Sequence, residues 1–410
     1  MAKALDVYIH NELVGKLIQN DGGQMEFSYA PSWLGREPTY ALSHSLPVQE
    51  EPFKQKECRG FFGGILPEEA NRTTIAKILG ISDRNDFAML EHIGGECAGA
   101  ITFLPEDTPL PDANESYRDI NDDELYTILE ELPRRPLMAG TEEVRLSLAG
   151  AQDKIAVRYE DGKISIPLGG APSTHILKPV IKDYDGLVFN EAFCMALAKA
   201  SGLSAANTII AKTSDKDYLL IERYDRTIDD GGAVQRLAQE DFCQALGIPS
   251  ETKYQSEGGP TLKDCFALLR VASKFPVLDL NALLDAVIFN FVIGNHDAHA
   301  KNFSLLTQPD GLTRLAPLYD LASTVYYPEL TENMAMKLGG EARSTFILPV
   351  HIETFAGDAG LGKALVRNRV PELTQKIHDS IDSTEQPHEV ATQVAELIKK
   401  RCVNVLSNFS

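Results

Sequence analysis

The densest run of reactive side chains is Gly294-Asn295-His296-Asp297-Ala298-His299-Ala300-Lys301-Asn302. It follows directly on an apolar segment, Asn281–Ile293, whose spacing predicts a helix. A loop held by a buried helix is where chemistry is usually placed. A further carboxylate, Asp320, lies beyond a turn signal, Gln308-Pro309-Asp310-Gly311, flanked by strand-like Phe303–Leu306 and Leu312–Leu318. The outer ends of a hairpin return to one edge, so Asp297, Asn302 and Asp320 are expected to converge. The arms differ by about three residues, which requires a bulge or an end loop. An Asp, an Asn five residues later and an Asp across a hairpin fit phosphoryl transfer. One carboxylate orients the attacking hydroxyl and accepts its proton. The amide and the second carboxylate hold magnesium against nucleotide phosphates.

Two other readings of these residues stay open. One is a capped, hydrogen-bonded loop without chemistry. The other is a zinc site on His296, Asp297 and His299. Zinc needs further ligands, and none of the other seven histidines sits in a comparable polar cluster. His299 reads as a loop-organising residue beside the base, and His296 as exposed.

The elements that must position this loop change character along the chain. Val7–Ile9 and Val14–Ile18 read as a hairpin, with Phe27–Tyr29 as a further strand. Helices are expected over Pro67–Leu79, with Pro67 in the first turn, and over Arg84–Ile93. Residues 106–143 read as an acidic linker, with Glu106–Asp112 irregular and Asp122–Leu132 a short helix. Ile155–Tyr159 and Lys163–Pro167 flank Asp161-Gly162, a hairpin signal. Thr174–Lys178, Thr208–Lys212 and Tyr218–Glu222 are strand-like, and Asn190–Ser201 is a helix closed by Gly202. After Arg226 the pattern is helical around Gln239–Leu246, Leu262–Ser273, Asn281–Ile293, Gly362–Val366 and Glu385–Asn408, with the one hairpin as exception. The expected fold class is α+β. A small mainly β subdomain (1–105) and the acidic linker (106–143) precede a sheet-rich lobe (144–225) and a helical lobe (226–410).

The sheet-rich lobe offers a second set of candidates. Val144–Lys154 is a small-residue loop in which Ser147, Ala149, Gly150 and Ala151 let backbone N–H groups approach phosphates. A plain strand-to-strand loop has the same composition. Lys178 ends a strand and could reach phosphates, with Glu191 as an ion-pair partner; a surface lysine is the alternative. Glu222-Arg223-Tyr224-Asp225 lies at the junction of the lobes, where an aromatic can line an adenine pocket.

Composition narrows the function classes. The chain has 410 residues and carries 39 Lys and Arg against 59 Asp and Glu, a net charge of −20. A surface this acidic disfavours unaided binding to nucleic acid or an anionic membrane. Six scattered cysteines without a Cys-x-x-Cys pair fit reduced, buried thiols in the cytoplasm. The first residues carry Lys3, Asp6, His10 and Glu12, unlike a signal peptide, and no membrane span is expected.

Taken together, these motifs resemble the HipA-type serine/threonine kinases of bacterial toxin–antitoxin modules. Ser147–Lys154 is similar to that family's nucleotide loop, Thr174–Lys178 to its lysine strand and Glu222–Arg226 to its hinge. Leu237 with Gln239-Glu240-Asp241, and Ser256-Glu257-Gly258-Gly259-Pro260, are further landmarks. Asp297–Asn302 and Tyr319-Asp320 match its catalytic and metal motifs. The resemblance covers nearly the whole chain and implies a two-lobed, protein-kinase-like fold. It implies ATP and Mg2+ as cofactors, Asp297 as catalytic base with His299 beside it, and Asn302 and Asp320 as metal ligands. Ala149, Gly150, Ala151, Gln152, Lys154, Lys178, Glu222, Tyr224, Asp225, Lys301 and Asn302 would contact the nucleotide. Ser147 aligns with the family's autophosphorylated serine. A phosphate there would expel the loop, with Arg145 and Lys154 as counter-charges. The implied partners are a dimeric helix-turn-helix antitoxin, HipB, and operator DNA reached mainly through it. The implied target is a translation component, glutamyl-tRNA synthetase, whose phosphorylation halts growth. His296 before the catalytic Asp and Tyr319-Asp320-Leu321 in place of Asp-Phe-Gly depart from ordinary protein kinases. A small-molecule or lipid kinase and a pseudokinase corepressor are the competing functions.

Overall fold

The computed structural model describes residues 3–37, 39–110, 116–181, 184–229, 231 and 233–409. The last two residues of the irregular stretch Glu106–Asp112 therefore lie outside the described residues. The chain forms two compact units. The first comprises Met1–Pro179, Ala211–Ser250 and Leu306–Leu312, and the second Val180–Ile210, Glu251–Leu305 and Thr313–Ser410.

The first unit contains a four-stranded antiparallel sheet in the order Met25–Tyr29, Glu12–Gln19, Lys3–Ile9, Ile101–Pro105. Alternation turns Leu17, Phe27 and Tyr29 inward. The sequence reading finds the first three strands and misses the fourth. It also misses the helix Gln55–Gly64, because glycines such as Gly60 lower helix propensity. Gly60 is required by close packing: a Cβ there would lie 2.3 Å from the Gly247 backbone.

A six-stranded sheet follows, in the order Thr208–Thr213, Lys216–Glu222, His175–Pro179, Ile155–Glu160, Lys163–Leu168, Ser116–Ile120. Its centre is dry, with Ile155, Val157, Leu177 and Leu220 fully buried. The strand Ser116–Ile120 corrects the linker reading of 106–143, since it pairs antiparallel with Lys163–Leu168 along its length. The helix expected from Pro67 runs instead over Glu69–Leu79. Pro67 is held in a parallel bridge to Gly150 and cannot join it. Gln239–Leu246 is also corrected. Strand Ala238–Asp241 ends where Asp241 caps the short helix Phe242–Ala245, accepting from the Gln244 N–H.

The second unit is helical: Leu187–Ala200, Leu262–Ala272, Pro276–Ile293, Pro349–Asp358, Lys363–Ile381 and Glu389–Phe409. Lys363–Ile381 runs through Pro371, well beyond the Val366 expected from spacing. A hairpin, Asn333–Leu338 with Glu341–Arg343, interrupts the region read as helical. Pro276–Ile293 starts earlier than the expected Asn281 and is long and apolar enough to cross a membrane, yet 67% of it is buried within the protein. Asp279 in its first turn is 2% exposed and is matched by a two-pronged contact from Arg314 at 2.7 and 2.9 Å.

Candidate active site

In the second unit, Pro276–Ile293 delivers the polar loop. Gly294 ends the helix at φ 74° and donates to the Asn290 carbonyl. A Cβ at Gly294 would meet Val325 at 2.4 Å, so only glycine makes this turn. Asn290 then organises the start of the loop. Its side-chain carbonyl accepts from Asn295 Nδ2 at 2.9 Å, and Asn295 Oδ1 accepts from the Asp297 N–H at 3.2 Å. The Asp297 carboxylate is exposed, and its Oδ1 accepts a hydrogen bond from the Tyr254 hydroxyl at 2.9 Å.

His296 is buried, which corrects its reading as exposed. Its N–H donates to Thr324 Oγ1 at 2.7 Å. Its ring nitrogens lie 3.2 Å from the Thr331 carbonyl and 2.8 Å from Ser344 Oγ. Burial holds its pKa below the usual histidine value. A ring so engaged is anchoring the loop. No group of three or more His, Cys, Asp or Glu side chains placed to hold a metal occurs among the described residues, so the zinc reading lacks its ligand set.

His299 is buried, meets the Tyr254 ring edge to face at 5.4 Å, and donates its backbone N–H to Asn302 Oδ1 at 3.0 Å. The other end of the Asn302 amide donates to Asp320 Oδ2 at 2.9 Å. The expected approach of Asn302 to Asp320 is thus a direct contact. Backbone pairing makes it: the Ala316 N–H donates to Ser304 at 2.8 Å, and Leu318 is pinned between Ser204 and Ala206 at 2.8 and 2.9 Å. Tyr319 Oη donates to the Lys301 carbonyl at 2.6 Å. Asp320 itself adopts φ 58° and is exposed. The exposed Asp320 carboxylate and the Asn302 side-chain carbonyl are the hard oxygen donors that suit magnesium; here Asn302 turns its NH2 to Asp320 and its Oδ1 to the His299 N–H, so its oxygen would have to turn toward a bound ion. Lys301 is buried.

The first unit carries the remaining candidates. Ser147 is fully buried and donates to the Ile65 carbonyl at 3.0 Å, in a short strand parallel to Glu96–Cys97. The loop beyond it is closed on itself and on the N-terminal region. Lys154 Nζ donates to the Ala149 carbonyl at 2.7 Å, Asn71 to the Ala151 carbonyl at 2.8 Å, and Glu68 N–H to Gly150 at 3.3 Å. Gln152 Nε2 is buried without a partner. Arg145 donates to the carbonyls of Glu91, His92 and Phe103.

Lys178 is buried in the strand His175–Pro179, opposite Leu219. Glu191 is buried in the helix Leu187–Ala200, where the neighbouring Asn190 exchanges hydrogen bonds with the Ser323 backbone at 2.8 and 3.0 Å. At the expected hinge Glu222 is exposed, and Tyr224 donates to Gln239 at 2.7 Å. The Asp225 side chain is turned inward. It is buried between Arg223 and Arg226 at 2.7 and 2.9 Å and accepts from Gly99 N–H at 2.6 Å. The same arginines, with Arg236, converge on buried Glu96 at 3.0, 2.8 and 2.6 Å. Those three guanidinium groups overcome desolvation and hold the Glu96 carboxyl down at about 2. Tyr254 and Asn290 are the site residues that sequence reasoning missed. The signal for Tyr254 was its place just before Gly258-Gly259-Pro260, a landmark to which no role was attached.

Comparison with known proteins agrees with this arrangement. The family model of the HipA N-terminal domain matches residues 5–104, and that of the HipA-like C-terminal domain matches 146–381. Y4mE of Sinorhizobium fredii is 48% identical over 385 residues, covering 92% of this chain and 91% of that protein. The serine/threonine-protein kinase toxin HipA of Shewanella oneidensis is 29% identical over 389 residues, covering 92% and 88%. The solved structure of the Shewanella oneidensis HipA toxin with HipB and its operator DNA superposes with a TM-score of 0.85 at 27% identity, covering 99% of this chain and 96% of that one. The fold is therefore the mixed α+β, kinase-like fold of HipA. With both family segments matched, the chain belongs to the HipA family.

Proposed function

We propose that this chain is an ATP- and magnesium-dependent serine/threonine protein kinase and the toxin of a toxin–antitoxin module. The observation that carries the reading is the loop after Pro276–Ile293: an exposed Asp297 carboxylate, and five residues on an Asn302 amide bonded to the exposed Asp320 carboxylate at 2.9 Å. Asp297 accepts the proton of an acceptor hydroxyl as its oxygen attacks the γ-phosphorus. The bond from that phosphorus to the bridging oxygen breaks, and ADP leaves. Asn302 and Asp320 would hold magnesium, which neutralises phosphate charge when bound. His299 keeps the loop in register, and Lys301 would contact the nucleotide. Lys178, Lys154 and the loop Ala149–Gln152 serve the phosphates, while Glu222 and Tyr224 frame the base.

Ser147 is the self-phosphorylation site. Because it is fully buried in this conformation, the nucleotide loop must swing out before it can accept phosphate. The relation to HipA solved with HipB and operator DNA supports a dimeric helix-turn-helix antitoxin as partner, with DNA reached through it. That division of labour suits a chain of net charge −20. Six free, buried cysteines suit the cytoplasm. An aminoacyl-tRNA synthetase is the proposed target. The test is intact mass and peptide mapping after incubation with Mg-ATP. One added phosphate on Ser147 in the wild type, and none in Asp297→Ala, is expected. Absence of phosphate and of ATP binding in a folded wild type would leave a non-enzymatic corepressor instead.

A further inference from the structure

The geometry points to Tyr254 as a positioning residue for phosphoryl transfer, acting through Asp297. The proposal rests on the reading of Asp297 as the base. The Tyr254 hydroxyl donates to Asp297 Oδ1 at 2.9 Å, while its ring packs edge to face on His299 at 5.4 Å. One side chain thus touches both Asp297 and His299. An exposed carboxylate on a loop turns about two side-chain torsions, and a base that wanders loses rate because the reacting atoms must meet in one geometry. A phenol on one oxygen fixes the carboxylate plane.

The surroundings are built to hold the phenol there. The turn after Tyr254 folds back on it: Gly259 N–H donates to the Tyr254 carbonyl at 2.9 Å, and Gly258 N–H to Gln255 at 3.2 Å. Gln255 Oε1 then accepts from the Lys337 N–H at 2.7 Å, tying the turn to the strand Asn333–Leu338. That strand is tied to the catalytic loop, since Ala335 N–H donates to the His296 carbonyl at 2.7 Å. Tyr254 and Asp297 are 43 residues apart in sequence and sit on two segments clamped to one strand. This gives the Ser256–Pro260 landmark a purpose: it aims a phenol at the base.

The test is single-turnover transfer of the γ-phosphate of radiolabelled ATP onto the full-length protein itself, with magnesium. The proteins are wild type, Tyr254→Phe, Asp297→Asn and the double variant. Tyr254→Phe keeps the ring and loses only the hydroxyl. It is expected to melt like wild type, keep its KM for Mg-ATP within about twofold, and lose about 10- to 100-fold in maximal rate. Adding Tyr254→Phe to Asp297→Asn is expected to cost nothing more, because the phenol acts only through the carboxylate. A Tyr254→Phe rate equal to wild type overturns the proposal, as does an undiminished loss in the double variant. A wild type that transfers no phosphate, or an Asp297→Asn variant as fast as wild type, overturns the assignment of the base and the proposal with it. That pattern is separate, because it is read without Tyr254→Phe.

Discussion

Putting a negative charge at position 147 should open the loop 148–154, proposed above to bind the nucleotide. Ser147 has 0% exposure, and its hydroxyl donates a hydrogen bond to the Ile65 carbonyl at 3.0 Å. The closed loop is further held by the Glu68, Asn71 and Lys154 contacts at 3.3, 2.8 and 2.7 Å. At about 1 kcal/mol net for each hydrogen bond, opening costs roughly 4 kcal/mol. Keeping a charged group buried without a cation costs several kcal/mol for one charge and more for a dianionic phosphate. To supply that cation Arg145 or Lys154 would first have to leave the carbonyls that hold it. If the closed form with phosphate lies about 3 kcal/mol above the open one, only about one molecule in 150 keeps a formed loop, and apparent affinity for Mg-ATP falls by the same factor. Ser147→Asp carries one charge and is expected to lose about 100-fold by calorimetry with a non-hydrolysable ATP analogue, with fast amide exchange over residues 148–154. Ser147→Ala removes one hydrogen bond, costs about 1 kcal/mol of stability and should bind within a few-fold of wild type. An aspartate variant that binds as tightly as wild type, with the loop still protected, would refute the reasoning.

Three further outcomes are expected. Asp320→Asn and Asn302→Ala should each lower the transfer rate by about 100- to 1000-fold and raise the magnesium needed for half-maximal rate; a magnesium titration with unchanged demand would speak against their role. Glu96→Gln should destabilise the protein by about 3–5 kcal/mol, because it leaves buried Arg223 and Arg226, and half-buried Arg236, short of a counter-charge, and urea unfolding reads this directly. Burial pushes the Glu240 carboxyl up to about 7, against hydrogen bonds from Ser43 and the His44 N–H. The native state therefore holds a proton that the unfolded chain has released, so this contribution is full below about pH 4.5 and is lost as pH rises through about 7. The urea midpoint should fall between pH 5 and pH 8 in wild type and fall less in Glu240→Gln; an equal fall in both would count against it.

The approach of Asn302 to Asp320 was legible because the candidate residues are placed locally in the sequence. Asp297 and Asn302 share one loop, and Asp320 lies across a turn that Pro309-Asp310-Gly311 announces. Strands with clean alternation, such as Met25–Tyr29, were legible for the same reason. What stayed hidden depends on partners far away in sequence. Asp225 looks like a hinge residue until Gly99 and the buried arginines are seen around it. His296 looks exposed until Thr331 and Ser344 close over its ring. The edge strand Ser116–Ile120 has an exposed, polar sequence that only its pairing with Lys163–Leu168 makes a strand. Helix ends moved for stated reasons, as at Pro67, which bridges to Gly150 instead of opening a helix.

The buried ion cluster also sets a timetable for synthesis. Glu96 leaves the ribosome before its arginines, which lie 127 to 140 residues downstream at Arg223, Arg226 and Arg236. At about 5–20 residues per second, the gap is roughly 6 to 28 seconds. During that interval the N-terminal sheet can pair its strands, yet a carboxylate that ends 1% exposed has no guanidinium to face. The Glu96 corner of the N-terminal region is therefore expected to stay open to water until the later strands arrive, and to close only after more than half of the chain has been made.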